Sequence, residues 1–215
     1  LYPFAESLLI ILRGPMKEQL YMLAPTEAFI VYLKITIFAA IVVSIPMTLY
    51  QGWAFLAPGL YAQEKKYILP FIILGTLFFG IGGYFAYKLI LPFGLRFLLG
   101  YGGSLIQPVI SVSNYISFVT KIILVFGVIF ELPIIVVFLT KLGIATPALM
   151  RQYRKYAIIS AFVLGAILTP PDVFTQLLMA GPLIILYETS IWVCVGFSKR
   201  WATQQDDDEE NNDDE

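Results

Sequence analysis

Residues 29–49 read FIVYLKITIFAAIVVSIPMTL. One lysine and one late proline interrupt an otherwise apolar run. About 20 such residues, rising about 1.5 Å each as a helix, match a bilayer core of roughly 30 Å. Neither strand alternation nor an amphipathic stripe is present, so the run reads as a membrane-spanning helix. Working outward, comparable runs recur at 67–91, about 113–140, 156–169 and 173–197. The expected fold is all-α, a polytopic transmembrane bundle with five spans in a single domain over 1–200. Residues 201–215, strongly acidic, are expected to be an unstructured tail. Composition agrees: 59% of the residues are hydrophobic and 13% charged, against about a quarter charged in soluble domains.

The net charge of −1 conceals an asymmetry. Eight of the 15 acidic residues lie in 206–215, which leaves 14 basic against 7 acidic in the body. Lys65, Lys66, Lys141, Arg151, Arg154, Lys155, Lys199 and Arg200 fall in segments on one side of the spans. Arg13, Lys17 and Arg96 fall on the other, and Lys34, Lys88 and Lys121 near span ends can snorkel. The positive-inside rule then puts the C-terminus in the cytoplasm and residues 1–27 outside. With an outside start, an upstream span is expected, making six in all. Phe4 to Leu12 is too short to cross and stops at Arg13-Gly14-Pro15.

Several chemistries are excluded. There is no histidine, hence no haem ligand pair, no histidine-containing zinc site and no Ser–His dyad. Asp172 is the only aspartate before the tail, so a membrane aspartyl pair is impossible. Cys194, alone in an apolar run, reads as a small packing residue. No phosphate-cradling loop is present. No metal, cofactor or catalytic residue is expected.

Ionisable groups at membrane depth are costly and mark function. Glu131, in Val-Ile-Phe-Glu-Leu-Pro-Ile, has no cation within nine positions, and Pro133 predicts a kink beside it. It is expected on a concave, partly hydrated surface, with a protonated carboxyl bonded to a neighbouring helix as the alternative. Glu188 is as well explained by pairing across helices as by function. Thr169, Asp172, Thr175 and Gln176 cluster at the outer turn between two short spans. Asp172 or Thr175 can cap the last helix, whereas Gln176 is expected to project toward a partner helix carrying a polar residue. The loop at 51–66 carries Trp53, Phe55, Tyr61 and Glu64, aromatics that read as membrane-interface anchors or, around a single carboxylate, as a receptor for a cationic peptide. The fourth span, only 14 residues over 156–169, predicts local membrane thinning.

Ordered motifs run through the chain: Ala24-Pro25-Thr26-Glu27, Leu49-Tyr50-Gln51-Gly52-Trp53-Ala54-Phe55-Leu56-Ala57-Pro58-Gly59-Leu60-Tyr61 with Glu64-Lys65-Lys66, Phe130-Glu131-Leu132-Pro133, and Leu168-Thr169-Pro170-Pro171-Asp172-Val173 with Gln176. In these the sequence resembles the TatC family, receptor and core subunits of the twin-arginine protein translocase. The family's first span, with its His-Leu-x-Glu-Leu-Arg segment, has no counterpart in this sequence, and the acidic tail lies outside the pattern. The resemblance implies a concave six-span architecture, no enzymatic activity and no cofactor. It implies a receptor, in the bacterial cytoplasmic membrane or an organellar equivalent, for folded cargo bearing twin-arginine signals. The implied partners are TatA and TatB helices, the signal peptide, further TatC copies and lipid, with no nucleic acid. It assigns signal binding to Glu64, Phe55, Trp53 and Glu131, and TatA/TatB docking to Thr169, Gln176 and Asp172. A proton-coupled transporter using Glu131 is the runner-up, disfavoured by the absence of an inverted repeat.

Overall fold

The computed structural model describes residues 2–16, 18–56, 68–100, 109–141, 143–169 and 172–213. Within them the chain is helical: α1 (Ala5–Arg13), α2 (Glu27–Leu56), α3 (Ile68–Phe85), a π-helical turn (Ala86–Ile90), α4 (Leu91–Gly100), α5 (Val112–Ile129), α6 (Leu132–Lys141), α7 (Pro147–Leu168) and α8 (Val173–Asp213). Two short strands, β1 (Leu20–Tyr21) and β2 (Ile110–Ser111), pair in parallel. The all-α membrane expectation holds. Among the described residues, four segments are long and apolar enough to cross a bilayer: Glu27–Gly52, Leu69–Gly100, Val112–Thr140 and Val173–Phe197. Only 17% of the first is buried, so its apolar side chains face outward, an arrangement that lipid tolerates and water does not.

Besides the end of α2, three boundaries differ from expectation. Pro92 was expected to open a loop, yet helix continues through it to Gly100. The reason is the π turn just before it, where Leu91 N–H reaches the Ala86 carbonyl five residues back. A widened turn absorbs the clash and the missing donor that a proline brings to a regular helix. The fourth helix is not confined to 156–169: α7 starts at Pro147, with Thr146 Oγ1 accepting from Leu149 N–H at 3.2 Å. A capped start with proline at the first position favours helix through the basic residues that follow. Third, α8 continues to Asp213, into the stretch expected to be unstructured. A helix already nucleated extends without a further nucleation cost.

The chain forms two compact units, 1–128 and 129–215. In the first, α5 buries Ile116, Val119, Ile122 and Phe126, while Val31 and Ile35 of α2 and Ile90 and Leu91 around the π turn are also buried. A Cβ on Gly127 would lie 2.6 Å from the Phe79 ring, so this glycine lets α3 and α5 approach. Gly80 has open space beside it. It lines an open apolar groove of 710 Å³ with Pro46, Ile73, Leu77 and Tyr84. In the second unit α8 packs on α6 and α7 around Val136, Met150, Ile191 and Cys194. Cys194 is the core residue its setting predicted, accepting from Thr140 Oγ1 at 3.1 Å.

Candidate functional site

α2 carries its helix through Trp53 and Phe55 to Leu56, five residues beyond the expected loop start at Gln51. Pro46 lies inside it without ending it. Glu64 and Tyr61, the other residues of this proposed receptor, lie outside the described residues.

Glu131 stands where α5 ends at Ile129 and α6 begins at Leu132. The break falls where Pro133, which donates no backbone hydrogen bond, predicted a kink. Glu131 itself starts the next helix, its carbonyl accepting from Ile135 N–H at 2.9 Å. Its side chain is 5% exposed, and among the described residues no group reaches Oε1. A buried carboxyl oxygen without a protein partner requires a proton, water or a ligand group to compensate it.

At the turn before α8, Asp172 caps the helix as expected. Oδ1 accepts from Thr175 N–H at 2.7 Å, and the Thr175 hydroxyl donates to Oδ2. These bonds, the hydroxyl's first, hold the Asp172 carboxyl below its ordinary value. Thr169 is buried and donates to the Gly165 carbonyl at 2.9 Å. Gln176 does project from the first turn toward another helix, but toward one of its own chain: Nε2 donates to the Phe162 carbonyl of α7 at 3.1 Å. Gly165 makes room for this, since a Cβ there would lie 3.1 Å from the Gln176 carbonyl oxygen.

Sequence reasoning left a polar clasp in the first unit unassigned. Glu27 Oε2 accepts from Leu23 N–H at 2.5 Å, and Oε1 accepts from Ser113 N–H at 2.8 Å and from the Ser111 hydroxyl. Two turns further along α2, Lys34 does not merely snorkel: Nζ donates to the Ser113 and Ser117 hydroxyls, each at 2.7 Å. Ser113 thus links an anion and a cation seven residues apart on α2. Two tyrosines donate to the last carbonyls of α1, one of which also accepts from Gly14 N–H at the cap. Tyr87 of the π turn donates to Ile11 O at 2.6 Å and Tyr115 to Leu12 O at 2.9 Å. The legible signal was Glu27 opening an apolar run. Its partners Ser111 and Ser113 lie more than eighty residues away, beyond what local spacing reveals. Glu188 forms the across-helix pair that its position allowed, forked with Arg154 at 2.7 and 2.8 Å.

The family described as "TatC: Sec-independent protein translocase protein (TatC)" matches residues 1–182. The chain belongs to the TatC family. Relatives named Sec-independent protein translocase protein TatC include one from Helicobacter pylori, 45% identical over 88% of this chain and 75% of that protein. Another, from Aquifex aeolicus, is 43% identical over 88% of this chain and 82% of that protein. A crystal structure titled as the twin arginine translocase receptor TatC superposes with a TM-score of 0.82 at 41% identity, covering 92% of this chain and 89% of that one. This TatC-family chain is therefore a multi-pass membrane protein of a protein-translocase family.

Proposed function

We propose that this chain is the signal receptor and core subunit of a twin-arginine translocase, a docking scaffold without catalytic chemistry. The observation that carries the reading is the close superposition on a protein titled as that receptor, at 41% identity across nearly the whole chain. Glu64 receives the arginine pair of the signal, with Phe55 and Trp53 in support, and Glu131 meets the inserted part of the signal. A guanidinium fork fits a carboxylate in a way an ammonium does not. An exposed pair supplies only about 0.2–1 kcal/mol, so burial of the signal's apolar segment provides most of the affinity.

TatA or TatB helices dock at the outer ends of α7 and α8. Asp172 holds the first turn of α8, and Thr169 and Gln176 offer polar groups there. Val173, Phe174 and Leu177 beside them are exposed apolar side chains suited to a transmembrane helix. Further copies of the chain join this assembly. The C-terminus and the loop around Glu64 face the cytoplasm, as the distribution of basic residues requires. The test is photo-crosslinking of a twin-arginine signal peptide to the Glu64→Gln protein. Binding is expected to fall by up to about fivefold. Crosslinking equal to that of the unaltered chain overturns the assignment of Glu64.

A further inference from the structure

The second unit carries a basic helix face that the receptor reading does not use. Because α7 begins at Pro147, Arg151 and Lys155 sit in its helical first half, one turn apart on one face, both exposed. Arg154 between them is occupied by its fork to Glu188. The other carboxylates of this unit whose side chains are described cannot serve: Glu131 is buried, and Asp172 caps α8 just past the opposite end of α7. Among the residues whose side chains are described, no carboxylate lies within ion-pair distance of Arg151 or Lys155. Half-exposed Tyr156 adjoins Lys155, and half-exposed Tyr153 lies one turn before Tyr156. Tyr153 and Tyr156 rings lie 5.9 Å apart, and Lys155 Nζ stands 5.1 Å over the Tyr156 ring.

Helix length fixes the depth of this face. Beyond Lys155, α7 has apolar residues only over Tyr156–Leu168. That is about 20 Å of helix against a core of roughly 30 Å, and α7 is absent from the four segments apolar enough to cross by length and composition. The mismatch draws the turn holding Arg151 and Lys155 down to the level of the lipid phosphates. Tyrosines favour that same level.

We propose that the Arg151–Lys155 face of α7, bordered by Tyr156, binds the headgroup of an anionic phospholipid. The phosphate accepts the forked donors of Arg151 and the point charge of Lys155. A zwitterionic lipid is disfavoured because it brings its own cation to an uncompensated basic face. This site goes beyond the receptor reading and does not depend on it.

The test is titration of the purified full chain in non-ionic detergent with short-chain phosphatidylglycerol, phosphatidylcholine or inorganic phosphate, read by native mass spectrometry. Phosphatidylglycerol should bind in preference to the other two. Removing each cation should weaken it about fivefold, so Arg151→Gln with Lys155→Gln should weaken it about twenty-five-fold. The charge-conserving pair Arg151→Lys with Lys155→Arg should keep the preference, as should Arg154→Gln. The proposal is overturned if the neutral pair binds like the unaltered chain, or if phosphatidylcholine binds equally well. Complete competition by inorganic phosphate would assign a free-anion site instead and overturn it too. Equal loss in the neutral and charge-conserving pairs would trace the effect to folding rather than charge, and would likewise overturn it.

Discussion

Gly127 meets the Phe79 ring so closely that even a methyl group has no room, its Cβ falling 2.6 Å from Cε2. Gly127→Ala should therefore cost about 1–3 kcal/mol through overpacking. Phe79→Leu should recover part of that loss in the double variant, and thermal unfolding in detergent measures both. The two changes would be additive if the helices did not touch there. Asp172 supports a prediction of opposite character. Hydrogen bonds from Thr175 depress its carboxyl, so its contribution is fully present above the ordinary aspartate value of about 3.9. It is lost as pH falls through the lower folded value. Asp172→Ala should remove this acid-dependent step from amide-exchange protection at the start of α8. Asp172→Asn, which still accepts a hydrogen bond, should keep the helix start and lose the pH dependence. Of these residues the sequence disclosed the cap, because its parts are three positions apart. The Gly127–Phe79 contact joins positions far apart in the chain, and a neighbouring apolar run gives no sign of which glycine it will use.

Element by element, the apolar runs announced their helices because bilayer thickness and backbone hydrogen bonding leave few other solutions. Their ends were harder to read. Pro92 ended a predicted span because a regular helix rejects proline, and the π turn at Ala86–Ile90 removes that objection. The same turn presents Tyr87 to Ile11, so an irregular element secures a contact invisible in hydropathy. At α7, hydropathy reported the apolar half and missed the charged half, since the helix spans both. The apolar half stays short whichever start the helix is given. Chain stability should then be greater in bilayers of short acyl chains than of long ones. Replacing Arg154 and Lys155 together by leucine, which lengthens the apolar half, should shift the optimum toward thicker bilayers. Thermal unfolding in nanodiscs of graded chain length checks this; an optimum insensitive to thickness would remove the thinning argument.

For the whole molecule, the arrangement across the membrane decides which surfaces the cytoplasm can reach. The sequence made the membrane class and the family pattern legible, because charge placement and ordered motifs are carried by residue identity alone. It did not make legible the Glu27–Ser113–Lys34 clasp, whose function depends on a pairing between distant segments. Sidedness itself is testable with this chain as it stands. Its single cysteine, Cys194, is fully buried between Thr140 and Ala145, and a buried thiol reacts slowly. The unaltered chain should therefore take up no membrane-impermeant maleimide, so introduced cysteines can report without removing Cys194. Gln19→Cys, just before β1, should be labelled in intact cells. Gln63→Cys, beside Glu64, should be labelled only after permeabilisation. The reverse pattern would place Glu64 outside. A twin-arginine signal presented from the cytoplasm could not then reach it, and the receptor assignment would fail together with the orientation.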